Sequence, residues 1–430
     1  MIPRIVVNYG LGAASPAVIA AAAAGTCDLT WHCDLADPHC KAMLPALRRL
    51  GPVTASGPGA SLDDTAQDLA ALSPDGITTF CDTRVLQTAE LAWRLGLPGN
   101  APATASLITD KYAQRQALRS SGLQDLQYRL VKTYAALERA VRELDGPVIV
   151  KPVHGQGSRH TYRIAAGDDL RAVRAAVAPG ELAEGYIIEE ELAGRPGDLG
   201  DGIADYVSVE IVTACGDHRV AGIVGRLALA YPFRERGGFH PSTLEGELAN
   251  AVSRLAASAL TALGASSGVS HTEIKLTPRG PEILEVNGRL GGHVAWLIQR
   301  NGGPDLVRAA LLTALGESPA LETYPPSGVA FRHVPPAPLR IGIADRVDGV
   351  RQVQDMPGVE AVELRVRRGT PVDWREGTGS CLAEISGWTT THQEMVRCTS
   401  RIENLLQVSL AGQPRPGTGS EVNGHEQRAR

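Results

Sequence analysis

Two acids face each other in a β-hairpin predicted for residues 271–289, HTEIKLTPRGPEILEVNGR. PRG reads as a three-residue turn with glycine in the last place, where a left-handed backbone is usual. Strand side chains alternate between two faces, so residues two apart share a face. Counting outward from the turn pairs Thr277 with Pro281, Lys275 with Ile283, Glu273 with Glu285, and His271 with Asn287. The carboxylates of Glu273 and Glu285 therefore meet directly.

A divalent cation would explain this pair of acids. Like charges set opposite each other are unfavourable unless a positive group lies between them. Glu273, Glu285 and the amide oxygen of Asn287 form an all-oxygen ligand set of the kind that Mg²⁺ prefers, and Arg289 follows on the same alternation. The alternative is an acidic strip that faces solvent. The opposite faces are largely apolar: Thr272, Ile274, Leu276, Leu284 and Val286.

Magnesium in proteins usually accompanies phosphate, and the chain has features that bind phosphate. In PVIVKPVHGQGS, Lys151 ends an apolar strand and is followed by a glycine loop whose amides can approach phosphate oxygens. A lysine that only snorkels from the strand end is the alternative. Lys111 begins another predicted helix in TDKYAQRQAL. The segment GYIIEEEL is an apolar strand with an acidic tip, a hinge suited to an adenine edge.

Composition and charge limit the classes of partner. The chain has 430 residues, of which 43% are hydrophobic and 21% are charged, as in soluble globular proteins of several domains. Its formal net charge is −5 with a pI near 6.1, and its basic residues are dispersed, so we expect neither nucleic acid nor a membrane as a partner. Lysine is rare, which makes each position informative: Lys41, Lys111, Lys132, Lys151 and Lys275.

Seven cysteines are scattered without a C-x-x-C pair, which favours reduced thiols over a disulfide framework. The segment WHCDLADPHC holds His32, Cys33, His39 and Cys40, but the spacing matches no standard zinc pattern, so we expect no metal there. The longest apolar run, AVIAAAAAG, is about half of a membrane-spanning length. It resembles a signal-peptide core, although the preceding IVVNYG favours a buried strand. We therefore expect a cytoplasmic protein.

Residues 1–105 alternate strand-like runs with helical patterns, as in RIVVNYG, SPAVIAAAAAG and DLTWHCD. This alternation predicts βαβ units around a parallel sheet, an α/β domain of Rossmann-like type. The turn NYGLGAASP superficially suggests a dinucleotide-binding loop, but the complete G-x-G-x-x-G is absent. Structural use of Gly10 and Gly12 in a strand-to-helix turn is the alternative.

From residue 106 the pattern changes to α+β. Strand pairs are predicted around PVIVKPVHGQGS, GYIIEEEL and YVSVEIVTACGDHRVAGIVG, ahead of an amphipathic helix that ends at Gly264. One face of this helix carries Leu248, Val252, Leu255, Ala259 and Leu263. A proline-rich stretch, 322–338, separates a domain of 106–320 from a smaller α+β unit, 321–411. The polar last residues, 412–430, are predicted to be disordered.

Taken in order, five segments resemble the ATP-grasp superfamily: DKYAQRQAL, VIVKPVHGQGS, IIEEELAG, SVE and HTEIKLTPRGPEILEVNGRLGG. GLPGN before the first segment and EVNGRLGG at the end are similar to the L-amino-acid ligase, or dipeptide synthase, branch of carboxylate-amine ligases. The resemblance covers residues 75–320. It implies a pre-ATP-grasp domain over 1–105, a two-lobed ATP-grasp domain over 106–320 and a lid-associated C-terminal domain, with 130–195 as the mobile lobe.

The resemblance also implies a role for each motif. Lys111 and Lys151 correspond to the lysines that hold the ATP phosphates. The flap that closes over these phosphates corresponds to Gly155, Gln156, Gly157 and Ser158. The adenine hinge corresponds to Glu189, Glu190 and Leu192. The ligands of two expected Mg²⁺ ions correspond to Glu273, Glu285 and Asn287, and Arg289 corresponds to the arginine that holds the acyl phosphate.

The chain departs from the family pattern in two places. An insertion, GDLGDGIADY, follows ELAGRP, so we assign the ribose-binding acid to Asp205. The related ligases have G-H-x-x-P, whereas this chain has GGFHPS, so the role of His240 does not carry over directly. Asp82 in TFCDTR lies where the branch often has an acid that contacts an amino group. The remaining substrate candidates are Glu210, Gly291, Gly292 and His293, with Trp296 among the variable pocket residues.

Charge explains the chemistry that the resemblance implies. The ATP γ-phosphate and a substrate carboxylate repel each other, and the metal ions with Lys151 and Arg289 neutralise that charge for an in-line transfer that yields an acyl phosphate and ADP. An amine then attacks the activated carbonyl. Arg289 and the amides of Gly291 and Gly292 stabilise the oxyanion, while the closed flap excludes water.

Three functions remain in competition. The first is an ATP-dependent ligase that joins an amino acid or related carboxylate to an amine, in dipeptide or secondary-metabolite synthesis, with small molecules as partners and a homodimer as the assembly to test. The second is a carboxylase that phosphorylates bicarbonate, against which the lack of a biotin-carrier lysine motif counts. The third is a regulatory module that binds ATP without catalysis. The complete set of acids, amide and arginine counts against the third.

Overall fold

The computed structural model describes residues 2–165, 170, 177, 179–195, 202–231 and 233–412, so the predicted disordered tail lies outside the described residues except for Gly412. The strands are β1 (Arg4–Tyr9), β2 (Asp28–Asp34), β3 (Val53–Ser56), β4 (Gly76–Thr78), β5 (Tyr128–Val131), β6 (Val148–Pro152), β7 (Tyr162–Ile164), β8 (Tyr186–Glu190), β9 (Ile203–Ala214), β10 (Asp217–Leu227), β11 (Gly237–His240), β12 (Gly268–Thr277), β13 (Gly280–Asn287), β14 (Val329–His333), β15 (Ile341–Asp348), β16 (Val359–Leu364), β17 (Pro371–Asp373), β18 (Ala383–Thr389) and β19 (Gln407–Leu410).

The helices are α1 (Pro16–Ala23), α2 (Pro38–Leu47), α3 (Leu62–Ala70), α4 (Val85–Leu95), α5 (Pro102–Thr109), α6 (Lys111–Ser120), α7 (Tyr134–Leu144), α8 (Pro179–Glu184), α9 (Gly246–Leu263), α10 (Val294–Arg300), α11 (Leu306–Ala314), α12 (Val350–Gln354) and α13 (His392–Leu405). Short 3-10 turns lie at Asp82–Arg84 and Trp374–Gly379. Across the described ranges, no helix combines the length and the apolar character needed to cross a lipid bilayer.

The N-terminal sheet is parallel, with the strand order β3-β2-β1-β4, and confirms the predicted βαβ arrangement. Strand β1 is buried on both faces, as its run of β-branched residues requires. The turn after β1 uses glycine for packing: a Cβ atom at Gly12 would overlap the carbonyl oxygen of Phe80, and one at Gly10 would lie 2.8 Å from the sulfur of Cys81. These close approaches support the structural interpretation of both glycines.

A small antiparallel sheet has the strand order β5-β8-β6-β7. Its core consists of apolar side chains from β6, β8 and α7, among them Val148, Val150, Ile188 and Leu137. The predicted strands around Lys151 and in GYIIEEEL are confirmed as β6 and β8, which are neighbours in this sheet. Ile149 pairs with Glu189 and Lys151 with Ile187, so Lys151 and Glu189 lie on one face of the small sheet.

The largest sheet has eight strands in the order β13-β12-β9-β10-β11-β14-β18-β16. Helix α9 packs on it and ends at Gly264, which adopts the left-handed conformation (φ 74°) as predicted. Val252, Ala259 and Leu263 are fully buried on this helix, and Leu248 and Leu255 pack against the same core. The helix therefore supports the strands that carry the predicted acids.

The C-terminal segment continues the eight-stranded sheet instead of forming a sheet entirely of its own. Strands β14, β18 and β16 extend that sheet, while β17, β15 and β19 form a separate three-stranded sheet. An apolar core lies between them and α13, with Phe331, Ile385 and Met395 at its centre. The division at residue 321 thus crosses a continuous sheet, and the domain boundaries stay predictions.

The β12-β13 hairpin has the predicted pairing at the acids and a different pairing near the turn. Glu273 pairs with Glu285 and His271 with Asn287, as expected. Lys275 pairs with Glu282 and Thr277 with Gly280, so the predicted pairs Lys275–Ile283 and Thr277–Pro281 are wrong. The turn has two residues instead of three, and a bulge opposite the step from Glu273 to Ile274 restores the register.

The bulge also exchanges two side chains between the faces of β13. Leu284, predicted on the apolar face, lines the cavity described below, and Ile283 is buried in the core under α9. Ile283 fits that core because it lies directly opposite Ile274, which is completely buried. The acids thus keep their predicted face although the count from the turn was wrong by one residue.

Candidate active site

A cavity separates the small sheet from the eight-stranded sheet and collects most of the predicted site residues. The small sheet and the loop after β6 line it with Ile149, Lys151, Gly155, Gln156, Gly157, Ser158, Arg159, Glu189, Glu190, Glu191 and Leu192. The opposite wall consists of Tyr206, Leu229, Phe233, Glu235, Glu273, Lys275, Leu284 and Glu285. Lys111 completes the lining from the start of α6. Predicted phosphate binders and predicted metal ligands therefore face each other across one space.

The position of Lys111 is determined by the residues on either side of it. Asp110 caps α6 by accepting hydrogen bonds from the amides of Tyr112 and Ala113, both at 2.9 Å. The side-chain amide of Gln114 donates to the carbonyl oxygen of Val286 in β13 at 2.9 Å and accepts from the Val286 amide at 2.8 Å. These contacts hold α6 against the hairpin. The ammonium of Lys111 consequently lies 3.0 Å from Glu285 and 2.7 Å from the carbonyl oxygen of Gly155.

Replacing Gln114 by Ala is expected to lower the free energy of unfolding by about 1–3 kcal/mol, because a buried backbone amide and carbonyl of Val286 lose their partner. Urea-induced unfolding measures this loss. Gln116→Ala is the matched control, since Gln116 is exposed on the same helix and should change stability by less than about 0.5 kcal/mol. Equal stability of the two variants would contradict the docking role of Gln114.

Glu189 lies in a buried ion triad with Arg115 and Lys151. Its carboxylate is 2.9 Å from Nε of Arg115 and 2.6 Å from Nζ of Lys151. Burial alone would raise the pKa of Glu189, but Arg115 and Lys151 outweigh it and lower that pKa to about 2. The carboxylate of Glu189 therefore orients Lys151. Backbone groups of residues 189–192 remain the predicted adenine hinge, and that assignment stays a prediction.

Apolar side chains from both sheets form part of the cavity wall, and a flat aromatic ring suits such a slot. They are Ile149, Leu192, Tyr206, Leu229, Phe233 and Leu284. Asp205, predicted to bind ribose, instead accepts a hydrogen bond from Lys275 at 2.6 Å and is not among the described residues that line the cavity. Glu235 does line it. Glu190 and Glu191 line it as well, so several carboxylates are available in this cavity, and the ribose-binding role of Asp205 stays a prediction.

Each of the facing acids has a cation of the protein beside it. Glu285 is paired with Lys111 at 3.0 Å, and Glu273 lies 3.3 Å from Nε2 of His271. The sequence suggested that a metal ion is needed between the two acids. Their opposition does not by itself require one, because each acid already has a positively charged neighbour. The donor set still fits a hard cation: two carboxylates on one face, with the amide of Asn287 on the same face of β13 two residues from Glu285.

Beneath Glu273 lies a buried network of charges. Nδ1 of His271 is 2.6 Å from Glu210, and its Nε2 is 3.0 Å from Arg226. Burial lowers the pKa of His271, but the carboxylates of Glu210 and Glu273 outweigh both burial and Arg226 and raise it. Glu210 itself is completely buried. The carboxylate of Glu210 positions His271 through Oε1, while its buried Oε2 has no hydrogen-bond partner among the described residues, and its role as a substrate residue stays a prediction.

Arg289 forms an ion pair with Asp82, the acid at the end of the N-terminal sheet. Burial lowers the pKa of Arg289, but Asp82 outweighs it, with Glu285 and Glu273 adding to the effect, and the pKa is raised. Arg289 also donates to the carbonyl of Leu290 at 3.0 Å. Asp82 and Asn287 line a second cavity, beside the first, together with Lys111 and Gly155. The ion pair therefore brings Asp82, a predicted substrate residue, into contact with Arg289, the predicted catalytic arginine.

The predicted substrate residues Gly291, Gly292 and His293 are not among the described residues that line the main cavity. Gly291 packs over His271 so closely that a Cβ atom would overlap Nδ1. Gly292 and His293 line a smaller cavity with Arg226, Glu235 and Arg332. His293 has a left-handed backbone (φ 63°), and its Nε2 is 3.6 Å from Glu384. This cavity shares Glu235 with the main cavity and is walled partly by the C-terminal segment.

His240 lies on the sheet face that carries Glu210, beside Gly222 of β10. Burial lowers the pKa of His240 to about 4, so its imidazole is neutral at neutral pH. Its Nδ1 is buried and has no hydrogen-bond partner among the described residues. The structure does not place His240 in the lining of the main cavity.

Sequence reasoning missed Arg115, His271, Arg226 and Glu235 as site residues. A signal existed for Arg115, which belongs to the DKYAQR motif, and for His271, which was paired with Asn287 but given no role. Glu235 offered none, because it comes from an irregular segment between β10 and β11 that the chain brings to the cavity only on folding.

Comparison with known proteins gives the following relatives; no protein-family model matches the chain. An uncharacterized protein of Sinorhizobium fredii is 28% identical over 311 residues, 69% of this chain and 60% of its own length. Alanine-anticapsin ligase of Bacillus subtilis is 28% identical over 232 residues, 51% of this chain and 49% of that enzyme. Carnosine synthase 1 of Gallus gallus is 30% identical over 278 residues, 59% of this chain and 28% of that enzyme. The chain thus spans about half the length, or less, of these ligases.

Solved structures match over nearly the whole chain. L-amino acid ligase from Bacillus licheniformis superposes with a TM-score of 0.73 at 22% identity, covering 95% of this chain and 99% of that one. A biotin carboxylase from Campylobacter jejuni has a TM-score of 0.64 at 13% identity, covering 95% and 92%. At these identities the likeness is one of fold.

Proposed function

We propose that the chain is an ATP-grasp enzyme related to amino-acid ligases, and that it uses ATP to join an amino acid or related carboxylate to an amine through an acyl phosphate. One observation supports this most directly: Lys111, Lys151, Glu273 and Glu285 all line a single cavity, with Lys111 paired with Glu285. Arg289 lies beside the adjoining cavity, whose lining includes Asn287. Cations and acids gathered around one space in this way suit the transfer of a phosphoryl group from ATP to a carboxylate.

In this proposal the main cavity takes ATP. The adenine ring lies between the apolar walls from Ile149 and Leu192 on one side and Leu284 on the other. Its edge bonds to backbone groups at Glu190–Leu192. Lys111 and Lys151 bind phosphate oxygens, since each ammonium has three N–H donors and its carboxylate partner occupies only part of them. The amides of Gly155, Gln156, Gly157 and Ser158 cover the phosphates, since a glycine-rich loop lets its backbone approach them.

Glu273, Glu285 and Asn287 are the residues proposed to hold two Mg²⁺ ions. Bound there, Mg²⁺ would neutralise phosphate charge and orient the γ-phosphoryl group. The chain itself supplies the rest. Arg289 binds the acyl phosphate and the oxyanion, with the backbone amides of Gly291 and Gly292 beside it. Asp82 orients Arg289, since the two side chains form an ion pair.

The carboxylate substrate is proposed to lie near Gly292 and His293, in the smaller cavity that shares Glu235 with the main one and that the C-terminal segment partly walls. The relatives named above as ligases favour amide synthesis over bicarbonate phosphorylation. A cytoplasmic location is part of the proposal, because all seven cysteines are free and most are buried. A homodimer is the assembly to test.

Incubation with ATP, Mg²⁺ and pairs from an amino-acid panel tests the proposal. The expected result is release of ADP and phosphate together with a product whose mass equals the two substrates less one water. ADP release that requires bicarbonate and no amine would favour a carboxylase instead. ATP binding without turnover by any pair, including the alanine-containing ones, would count against catalysis.

A further inference from the structure

A short segment of the C-terminal unit touches the glycine loop that is proposed to cover the phosphates. The amide of Thr378 donates to the carbonyl oxygen of Gly157 at 3.0 Å. Arg159, which follows the loop, forms an ion pair with Glu376 at 3.0 Å. Both partners belong to the 3-10 turn Trp374–Gly379, which lies more than 200 residues further along the chain. We call this turn the clasp segment.

Gly377 makes the close approach possible. Its backbone is left-handed (φ 63°, ψ −137°), and a Cβ atom there would overlap the carbonyl oxygen of Gly157 and lie 3.0 Å from the amide nitrogen of Arg159. Any other residue at this position would meet both a strained backbone and the loop. The loop and the clasp segment are thus shaped to each other at the backbone.

The other side of the clasp segment holds the opposite wall of the cavity. The hydroxyl oxygen of Thr378 accepts a hydrogen bond from the amide of Glu235 at 3.3 Å. Glu235 lines the main cavity, across from the loop. Thr378 therefore joins the loop of the small sheet to the wall that continues from β10, through its amide on one side and its hydroxyl on the other.

We propose that the clasp segment holds the glycine loop shut over the bound phosphates, with Gly377, Thr378 and Glu376 as positioning residues. The proposal rests on the function proposed above, because the loop must cover phosphate for closure to matter. A loop held at Gly157 and Arg159 excludes water from the acyl phosphate, which water would otherwise cleave to the free carboxylate and inorganic phosphate. The C-terminal unit thus contributes to the coupling of ATP use to amide formation.

Hydrogen exchange of the amides at residues 155–161, measured without substrates, tests the contact itself. Gly377→Ala should speed this exchange by about ten-fold, because loss of the contact is expected to raise the equilibrium constant for opening of the loop by about that factor. Gly369→Ala is the matched control. Gly369 is also left-handed (φ 88°) and lies in the same unit, but no atom lies within 4 Å of its Cβ position. Equal exchange in the two variants would overturn the proposal.

The catalytic readout is the number of ADP molecules released for each amide formed. Gly377→Ala should raise the KM for ATP and raise this ratio above one, because acyl phosphate is lost to water, while Gly369→Ala should keep the ratio of the wild-type chain. A fall in kcat at an unchanged ratio and KM would show a merely structural effect and overturn the proposal.

Reversal of the charges in the Arg159–Glu376 ion pair provides a second test if Gly377→Ala does not fold. Glu376→Arg should speed exchange of the loop by about two- to five-fold, as expected for a half-exposed ion pair, and Arg159→Glu with Glu376→Arg should restore it. Failure of the double variant to restore protection would overturn the contact. Hydrogen exchange needs no substrate, so it tests the contact of the clasp segment with the loop even if the wild-type chain makes no amide. Absence of amide synthesis would refute the proposed function and not this contact.

Discussion

Glu285→Gln is expected to lower Mg²⁺-dependent turnover by more than about a hundred-fold while leaving the fold intact. The carboxylate faces Glu273 in the hairpin and lines the cavity with both phosphate lysines. The amide of glutamine keeps the shape but removes the negative charge that attracts a divalent cation. Stability should change by less than about 1 kcal/mol, because Lys111 keeps its hydrogen bond to Gly155. Steady-state rates over a range of Mg²⁺ concentrations measure the effect.

Glu282→Gln is the control for this variant. Glu282 lies three residues away on the same strand, and its carboxylate accepts from Arg279 at 3.0 Å outside the cavity. Its turnover should stay within about two-fold of the wild-type value. Normal turnover by Glu285→Gln would overturn the metal assignment.

Glu189→Gln is expected to destabilise the protein by about 3–5 kcal/mol at neutral pH, because Arg115 and Lys151 then share a buried site without a balancing charge. Urea-induced unfolding measures the loss. Glu143→Gln is the control in the same lobe, since Glu143 forms only an exposed pair with Arg129 and should cost less than about 1 kcal/mol.

The cost of Glu189→Gln should depend on pH in a defined direction. In the folded protein the pKa of Glu189 is lowered from 4.5 to about 2. A lowered pKa means that ionised Glu189 stabilises the fold fully above pH 4.5 and loses this contribution as the pH falls toward 2. The stability difference between the two proteins should therefore shrink across that window. A difference that grows as the pH falls would contradict the ion triad.

The strands and their motifs were predictable because they depend on local patterns. Alternation of apolar runs and helical segments predicts the parallel N-terminal sheet, and GYIIEEEL predicts β8 with its acidic tip. The pairing of Glu273 with Glu285 also followed from a simple count, although two errors cancelled in it. The turn is shorter by one residue than predicted, and the bulge at Leu284 adds that residue back. Packing of Ile283 under α9 favours this bulge, and no short window of sequence reports such packing.

The contacts between distant segments were not predictable in the same way. Glu189 reads as a hinge acid in its own motif, yet Arg115, from a segment 74 residues earlier, turns it into the partner of Lys151. The contact of Glu210 with His271 and its complete burial are likewise not visible in its own motif. Gly377 carries no signal at all, because its importance depends on the approach of Gly157. Long-range juxtapositions of this kind depend on how the sheets pack and not on local spacing.

The acyl phosphate is the central claim, and oxygen transfer from the substrate tests it most directly. A carboxylate substrate labelled with ¹⁸O in both oxygens is incubated with ATP, Mg²⁺, the amine and the wild-type chain, and the products are weighed by mass spectrometry. The account predicts that the released inorganic phosphate carries one ¹⁸O atom and the amide retains the other. Label found in AMP, or an amide formed beside wholly unlabelled phosphate, would contradict it.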